Sequence, residues 1–580
     1  MVIPSQDNAS APRVDRWAVC LVAAATAATF LAVVTHPFVS WDDGDYLVRN
    51  PHFRGLGWAN LRWMFTTAHL GHYVPVTWLT FGLDACLWGV NPHAFHAMSL
   101  VLHCANAALL YLLAWRLLDS AAAWSRGALR TGAAAAALLW ALHPLRVEPV
   151  AWATARPDLL AGLFALLTVL TYLRAWRLGR DGRLGHGWWL AAAVLFLVAL
   201  LAKSVVVTLP FVLLVLDVYP LGRHRDASPK WRANAWRLVA EKWPLLVLAA
   251  GAGALMLVIG ARREQATSLE LVTGAERVAI ALRAAAFYVW KTVLPRGLSP
   301  FYELRLPADP WSPPFVAAAT LVAGFSALAL AARRRCPAAL AGWISYLILL
   351  LPVSGLFQKG VPIAAADRYA YLATIPLGLL AGAAVAWCAD AAKPGVLPLR
   401  PRRVAVAVAA MAIALAALSM TQVRTWRDSE SLWHRALAVD PDSAFAHYHL
   451  AGLFVTAGRT PEAQAEYERG LARLGHRFPR AEAMFRARLG SVLQAQGEVG
   501  LAEQHYRQAI RLYPRNLRAQ HNLAVILSER GDDAEALAHA LEALRLGPDF
   551  PEVCANVRML TGRLGTRPAE LDSCPTDTSR

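Results

Sequence analysis

Apolar stretches alternate with short polar connections over the first 420 residues, and from about Thr425 the pattern turns to the mixed periodicity of a water-soluble chain. A helix needs about 20 predominantly apolar residues to cross about 30 Å of hydrocarbon. Stretches of that kind lie near 17–36, 93–118, 127–143, 157–176, 187–203, 205–221, 244–261, 315–333, 338–356, 370–389 and 402–420, which predicts about 11 crossings. The first, from Trp17 to Val34, has no small-residue cleavage pattern and reads as a span, not a removable leader.

Connections on the cytoplasmic side of a membrane protein collect Lys and Arg. Arg116, Arg126 and Arg130; Arg177, Arg180 and Arg183; Arg223, Arg225, Lys230, Arg232 and Arg237; Arg333, Arg334 and Arg335; and Lys393, Arg400, Arg402 and Arg403 all fall on one side in a single scheme. The scheme needs residues 279–294 to lie along the interface, as the polar face of Glu276, Arg283 and Lys291 suggests. If that segment crosses, the C-terminal part changes sides.

The C-terminal part repeats. Leu450, Ala451, Gly458, Ala463 and Tyr467 recur as Leu489, Gly490, Gly497, Ala502 and Tyr506, and again as Leu523, Ala524, Gly531, Ala536 and Ala540, at periods of about 39 and 34 residues. Small residues let paired helices approach, Gly ends the first helix of each pair, and Pro441, Pro514 and Pro548 punctuate the connections. This is a tetratricopeptide solenoid, an architecture that offers a concave surface to a peptide or protein.

Composition narrows the function classes. With 57% hydrophobic and 17% charged residues, most of the chain belongs in lipid. The net charge of +17 sits in clusters between apolar runs, a topological signal with no nucleic-acid stripe. The seven cysteines form no C-x-x-C pair; Cys554 and Cys574 are candidates to pair outside the cytoplasm.

Candidate chemistry starts just after the first span, in Trp41, Asp42, Asp43, Gly44, Asp45 and Tyr46. Carboxylates this close favour a shared proton or a cation, so Asp42 and Asp43 are candidates for a general base, and either is a candidate ligand for a divalent cation. The competing structural reading is an acidic cap or solvated loop. Other ionisable residues converge on the same predicted side: His143, Arg146, Glu148, Arg156 and Asp158, then Lys203, then Asp367 and Arg368. Such groups at the membrane edge are costly unless paired or functional, and the set points to a polar cavity in which Arg or Lys holds a phosphate. Taken singly, each also fits a structural role, such as Arg156 pairing Asp158 or Glu148. His93 and His96 share a helical face, where packing is the simpler reading than metal ligation.

The order of these motifs resembles the transmembrane and tetratricopeptide-repeat-containing O-mannosyltransferase family, multi-span enzymes of the GT-C class. The resemblance is carried by Trp41-Asp42-Asp43 with Asn50-Pro51; Tyr73 to Thr77; Asn91-Pro92-His93-Ala94-Phe95-His96 and Leu102-His103; His143-Pro144 with Glu148; Ala155-Arg156-Pro157-Asp158; Ala202-Lys203-Ser204; Ala366-Asp367-Arg368-Tyr369-Ala370-Tyr371; and Thr425-Trp426 to Leu432-Trp433. The family commonly shows Gly-Arg-x-Asp and Lys-Glu where this chain has Ala155-Arg156-Pro157-Asp158 and Lys203-Ser204, and the repeat array is short.

The resemblance implies an inverting transfer of a hexose, mannose in known members, from a polyprenyl-phosphate carrier to Ser or Thr. It implies Asp42 and Asp43 as the base pair, with His96, Glu148, Arg156, Asp158, Lys203, Asp367, Arg368 and Tyr369 around the donor; Lys203, Arg156 and Arg368 are its phosphate candidates. The expected layout is all-α: a cytoplasmic 1–16, a GT-C-like domain over 17–421 with an external loop at 37–75, repeats over 425–565 that bind the acceptor, and a tail at 566–580. High Ala, Leu and Arg usage fits a bacterial inner membrane with the repeats in the periplasm. A membrane-anchored scaffold for envelope proteins is the alternative.

Overall fold

The computed structural model describes residues 14–180, 185–225, 231–262, 272–357, 363–390, 401–474, 478–547, 550–566 and 568–574. Residues 1–13, Arg183, Lys230, Arg263, Lys393, Arg400, Pro548 and the last six residues of the predicted tail lie outside the described residues. The chain divides into two compact units, Met1–Leu432 and Trp433–Arg580.

Both units are helical, as the apolar periodicity predicts. Local chemistry sets the starts. Asn91 accepts from the His93 amide and Pro92 opens the helix Pro92–Ala121. Ser125 caps Arg126–Ala141, and Thr273 with Glu276 forms a capping box ahead of Gly274–Val293.

Among the described residues, six helices are long and apolar enough to cross a membrane: Arg16–Thr35, Pro92–Ala121, Ala153–Gly179, Trp243–Ala261, Pro313–Ala332 and Pro401–Trp426. A seventh crossing arises if Asp367–Ala373 and Ile375–Ala389, bent by 56°, count as one. The expected 11 also counts four shorter helices. His186–Ala202, Ser204–Val218 and Pro337–Val353 are shorter apolar helices, and Arg126–Ala141 has 16 residues. At 1.5 Å per residue, 16 or 17 residues reach only about 25 Å. The breaks fall at residues that end apolar runs: Lys203 between two helices, and Pro144 after His143. Gly274–Val293 is not among the six; it buries Ala279, Ile280, Ala284, Ala285 and Tyr288.

Residues 140–162 form the centre of the first unit and are buried throughout, although the sequence places most of them in an external connection. Around them, small residues let backbones meet. A Cβ on Gly382 would lie 2.5 Å from the Gly132 carbonyl oxygen and 2.6 Å from Ala136 Cβ, so Arg126–Ala141 and Ile375–Ala389 pack at a distance only glycine permits. A buried polar knot lies beside this contact. Tyr371 Oη accepts from Asn106 Nδ2 (2.9 Å) and lies 2.9 Å from His103 Nδ1, while His103 Nε2 faces the Ala141 carbonyl at 3.1 Å.

The sequence does not anticipate the one ribbon present among the described residues, in which Tyr302 pairs Ala365 and Glu303 pairs Ile363 in antiparallel register. It joins the connection after Gly274–Val293 to the strand immediately before Asp367.

In the second unit, Ala444–Thr456 with Thr460–Leu474, Pro479–Ala495 with Val499–Leu512, and Leu517–Arg530 with Asp533–Leu546 are the three predicted helix pairs, followed by Pro551–Leu564. Gly458, Gly497, Gly531 and Gly565 follow the first helices with φ of 71°, 86°, 90° and 65°, a region costly for residues with a Cβ. The repeated Leu, Ala and Tyr positions are buried, and a Cβ on Gly490 would meet the Tyr506 ring at 2.7 Å. Cys554 and Cys574 are disulfide-bonded, closing the last helix onto the following turn.

Gly382→Leu is expected to destabilise the first unit by at least about 1–3 kcal/mol through overpacking. Thermal unfolding in detergent should show a clearly lowered midpoint, whereas Gly251→Leu, at a position with no neighbour within 4 Å of its Cβ site, should not.

Candidate active site

The chain leaves its first helix through a 3-10 turn, Leu31–Thr35, and delivers Trp41, Asp42 and Asp43 to the buried centre of the first unit. Asp43 is fully buried, and its carboxylate is consumed by the fold. Oδ2 accepts from the Val39 amide at 3.0 Å; Oδ1 accepts from the Thr154 amide at 3.1 Å and, at close range, from the Thr154 hydroxyl. Burial nevertheless pushes its carboxyl up to about 6 against those bonds.

Asp42 differs. Its carboxylate has no hydrogen-bond or ion-pair partner among the described residues, and the residue is only half-buried. Burial pushes its carboxyl up to about 6, with the Arg368 guanidinium opposing the shift and Asp45 adding to it. Of the two adjacent carboxylates, one anchors the loop and the other is left available.

Arg368 stands beside Asp42. Its guanidinium pairs with Glu148 at close range, its amide donates to Glu148 Oε2 at 2.9 Å, and it lies over the rings of Tyr369, Trp152 and Trp41 at 5.0, 5.1 and 5.7 Å. Asp158 is near enough to act electrostatically on both Arg368 and Glu148, and it receives Lys203 Nζ at 2.6 Å. Asp367 accepts from Tyr302 Oη at 2.9 Å, which the ribbon holds in place. The site is thus a partly exposed cluster where acids and bases alternate.

Asp42, Glu148, Asp158, Lys203, Asp367, Arg368 and Tyr369 come together as the sequence suggests. Arg156 and His96 sit apart from this group. Arg156 is fully buried, pairs with Asp84 at 2.6 Å, donates to the Phe95 carbonyl at 3.0 Å and lies over Phe81 at 4.4 Å. It does not pair with Asp158 or Glu148: residues two apart on a helix point to different sides, so Arg156 and Asp158 diverge. His96 Nε2 faces the Pro37 carbonyl at 3.4 Å and packs near His36.

Sequence reasoning overlooked Asp84, Thr154, Trp152 and Tyr302. Asp84 carried a usable signal, as an acid within an apolar stretch. The others did not, since a threonine or an aromatic in a loop reads as ordinary until its partner is known. A divalent cation at Asp42 or Asp43 finds no ready ligand set: no group of three His, Cys, Asp or Glu residues able to hold a metal occurs among the described residues, and both Asp43 oxygens are occupied.

The chain is similar to protein O-mannosyl-transferases. It is 34% identical over 203 residues to protein O-mannosyl-transferase TMTC1 of Homo sapiens, covering 32% of this chain and 22% of that protein. It is 30% identical over 223 residues to TMTC4 of Homo sapiens, covering 36% and 30%, and 36% identical over 153 residues to Tmtc2 of Drosophila melanogaster, covering 26% and 15%. The match therefore spans less than a third of these relatives' own length. A tetratricopeptide repeat family model matches residues 516–552. Among solved structures, YrrB, "a TPR protein with an unusual peptide-binding site", is 20% identical and matches over 28% of this chain and 80% of its own with a TM-score of 0.21. The crystal structure of MamA matches at 16% identity over 25% and 82% with a TM-score of 0.22.

The two aspartates should separate by stability. Asp43→Asn places an amide donor against donors and is expected to cost about 1–3 kcal/mol. Asp42→Asn removes no bond and should leave the thermal midpoint in detergent nearly unchanged.

Proposed function

We propose that this chain is a membrane glycosyltransferase that moves a mannose-like hexose from a polyprenyl-phosphate carrier to Ser or Thr of an exported protein. The observation that carries the reading is the Asp42 carboxylate, unpartnered and half-buried, beside the fixed cation Arg368. Similarity to protein O-mannosyl-transferases supports the reaction class.

The hydroxyl oxygen of the acceptor attacks C1 of the hexose as the C1–O bond to phosphate breaks, and Asp42 takes the hydroxyl proton. Inversion follows from attack opposite the leaving phosphate. Charge develops on that phosphate, and preset cations such as Arg368 and Lys203 would stabilise it without reorganising. Glu148 and Asp158 hold those cations in place. Asp43 fixes the loop, while Arg156 and His96 pack the helices behind it. No step is routed through a metal ion.

A lipid-linked donor also needs somewhere to lay its chain. An apolar groove in the first unit is lined by Leu113, Leu117, Leu166, Val206, Leu209 and Ile375. Val206 follows Lys203 by three residues and Ile375 follows Arg368 by seven, so the groove and the polar site draw on the same stretches of chain, and its apolar lining would suit an isoprenoid tail.

The repeats would bind the acceptor, the usual work of such solenoids. A disulfide at Cys554–Cys574 suits an oxidising compartment, which favours repeats outside the cytoplasm, in the periplasm if the source is bacterial.

The test is transfer of label from a polyprenyl-phosphate hexose to envelope protein in membranes. Wild type should label protein, and Asp42→Asn should lower kcat by about 100-fold or more, the scale of a lost general base. Absence of transfer by wild type across several donors, with the repeats still capturing protein, would favour the scaffold. Because Asp42 must be ionised to accept a proton, kcat should fall about tenfold per pH unit below about 6 and level off above it.

A further inference from the structure

The loop that carries Asp42 is gripped from a second direction, by the stretch that leads out of the membrane helices toward the repeats. Trp41 stacks on Trp152 with ring centroids 4.7 Å apart and lies parallel to Trp426 at 6.4 Å; Trp152 and Trp426 are 6.2 Å apart. Trp426 closes the long helix Pro401–Val423 through a 3-10 turn, Arg424–Trp426, and is 1% exposed. The Ser40 amide donates to the Ser429 hydroxyl at 2.8 Å.

Ser429 is available for that contact because its neighbour does the capping: Asp428 accepts from the Ser431 amide at 2.7 Å. The same end of the long helix is also secured, with Ser419 Oγ donating to the Leu142 carbonyl at 2.7 Å. Residues 40–41 and 426–429 therefore meet through ring stacking and a hydrogen bond, all within the first unit.

We infer that Trp426 and Ser429 are positioning residues for Asp42, so that the segment entering the repeats forms part of the scaffold of the catalytic loop. The Asp42 carboxylate has no bond of its own; only the backbone carbonyl is held, by the Tyr46 amide at 2.8 Å. Its place is set by its two neighbours, Asp43 through Val39 and Thr154, and Trp41 through Trp152 and Trp426. Loosening the indole contact leaves the carboxylate attached on one side only. Misplacing a base by about 1 Å can cost about 100-fold in rate even when the substrate still binds.

This rests on the glycosyltransferase reading, and the experiment separates the two. Full-length wild type, Trp426→Ala, Trp426→Phe and Ser429→Ala are assayed with a polyprenyl-phosphate hexose and a short Ser/Thr peptide, each normalised to folded protein by its thermal transition. The expected result is a kcat lowered about 10- to 100-fold in Trp426→Ala, with donor KM changed less than about twofold. Trp426→Phe, which keeps an aromatic ring at the contact, should recover most of the loss, and Ser429→Ala should lower kcat several-fold. Should Trp426→Ala fail to fold, the Ser429→Ala and Trp426→Phe values decide the matter. Unchanged kcat per folded molecule in Trp426→Ala, or in Ser429→Ala where Trp426→Ala does not fold, overturns the positioning role while leaving the glycosyltransferase reading intact. A wild type that transfers nothing overturns both.

Discussion

A guanidinium inside a low-dielectric core is costly without a counter-charge, and the site depends on how this chain meets that demand for Arg368. The Glu148 carboxylate accepts from both the guanidinium and the backbone amide of Arg368, and three aromatic faces line the guanidinium. The pair is contributed by two distant stretches of chain, so its formation requires the 140–162 segment and the Asp367–Ala373 turn to be packed together. The same requirement repeats at Lys203 with Asp158 and at Arg156 with Asp84. Each pair costs desolvation and recovers it only when the helices around it are in register, so charge placement and helix packing define one another.

Against that frame of satisfied charges, Asp42 is the exception. Asp43, next in sequence, has every oxygen occupied, whereas Asp42 keeps an unpartnered carboxylate at the half-buried edge. Within this cluster the acids Asp43, Glu148, Asp158 and Asp367 are all partnered, and Asp42 alone is left open. The raised carboxyl of Asp42 follows from the same burial, moderated by Arg368. The aromatic cluster around Trp41 then takes over the work that bonds to Asp42 would have done, fixing the loop without consuming the carboxylate.

How much of this was legible in the chain follows the range of the interactions. The repeats could be read because their determinants are local: a Gly that must adopt positive φ, small residues that let two helices touch, and an aromatic filling the pair, each recurring at a fixed spacing. The apolar segments could be read as helices for the same reason. The breaks at Pro144 and Lys203 could be read too, because the runs 127–143 and 187–203 end there; the 56° bend between Asp367–Ala373 and Ile375–Ala389 could not, since an apolar run keeps no record of a change in direction. Most of the candidate site was visible as a set, because ionisable residues beside apolar runs are rare and conspicuous. Their partnerships were not: Arg156 appeared to belong with Asp158, and its counter-charge is Asp84.

Composition and periodicity alone determined that this is a helical membrane chain followed by a repeat solenoid, and that acidic and basic residues lie in the connections beside its apolar runs. Those are consequences of solvation and of spacing along a helix, both short-range. Only the tertiary structure decided which of two adjacent aspartates is free, which cation stands beside it, and that Trp152 and Trp426 close on Trp41, because each of these depends on contacts between residues more than 100 positions apart. Sequence spacing carries no record of such distances; packing of the helices creates them.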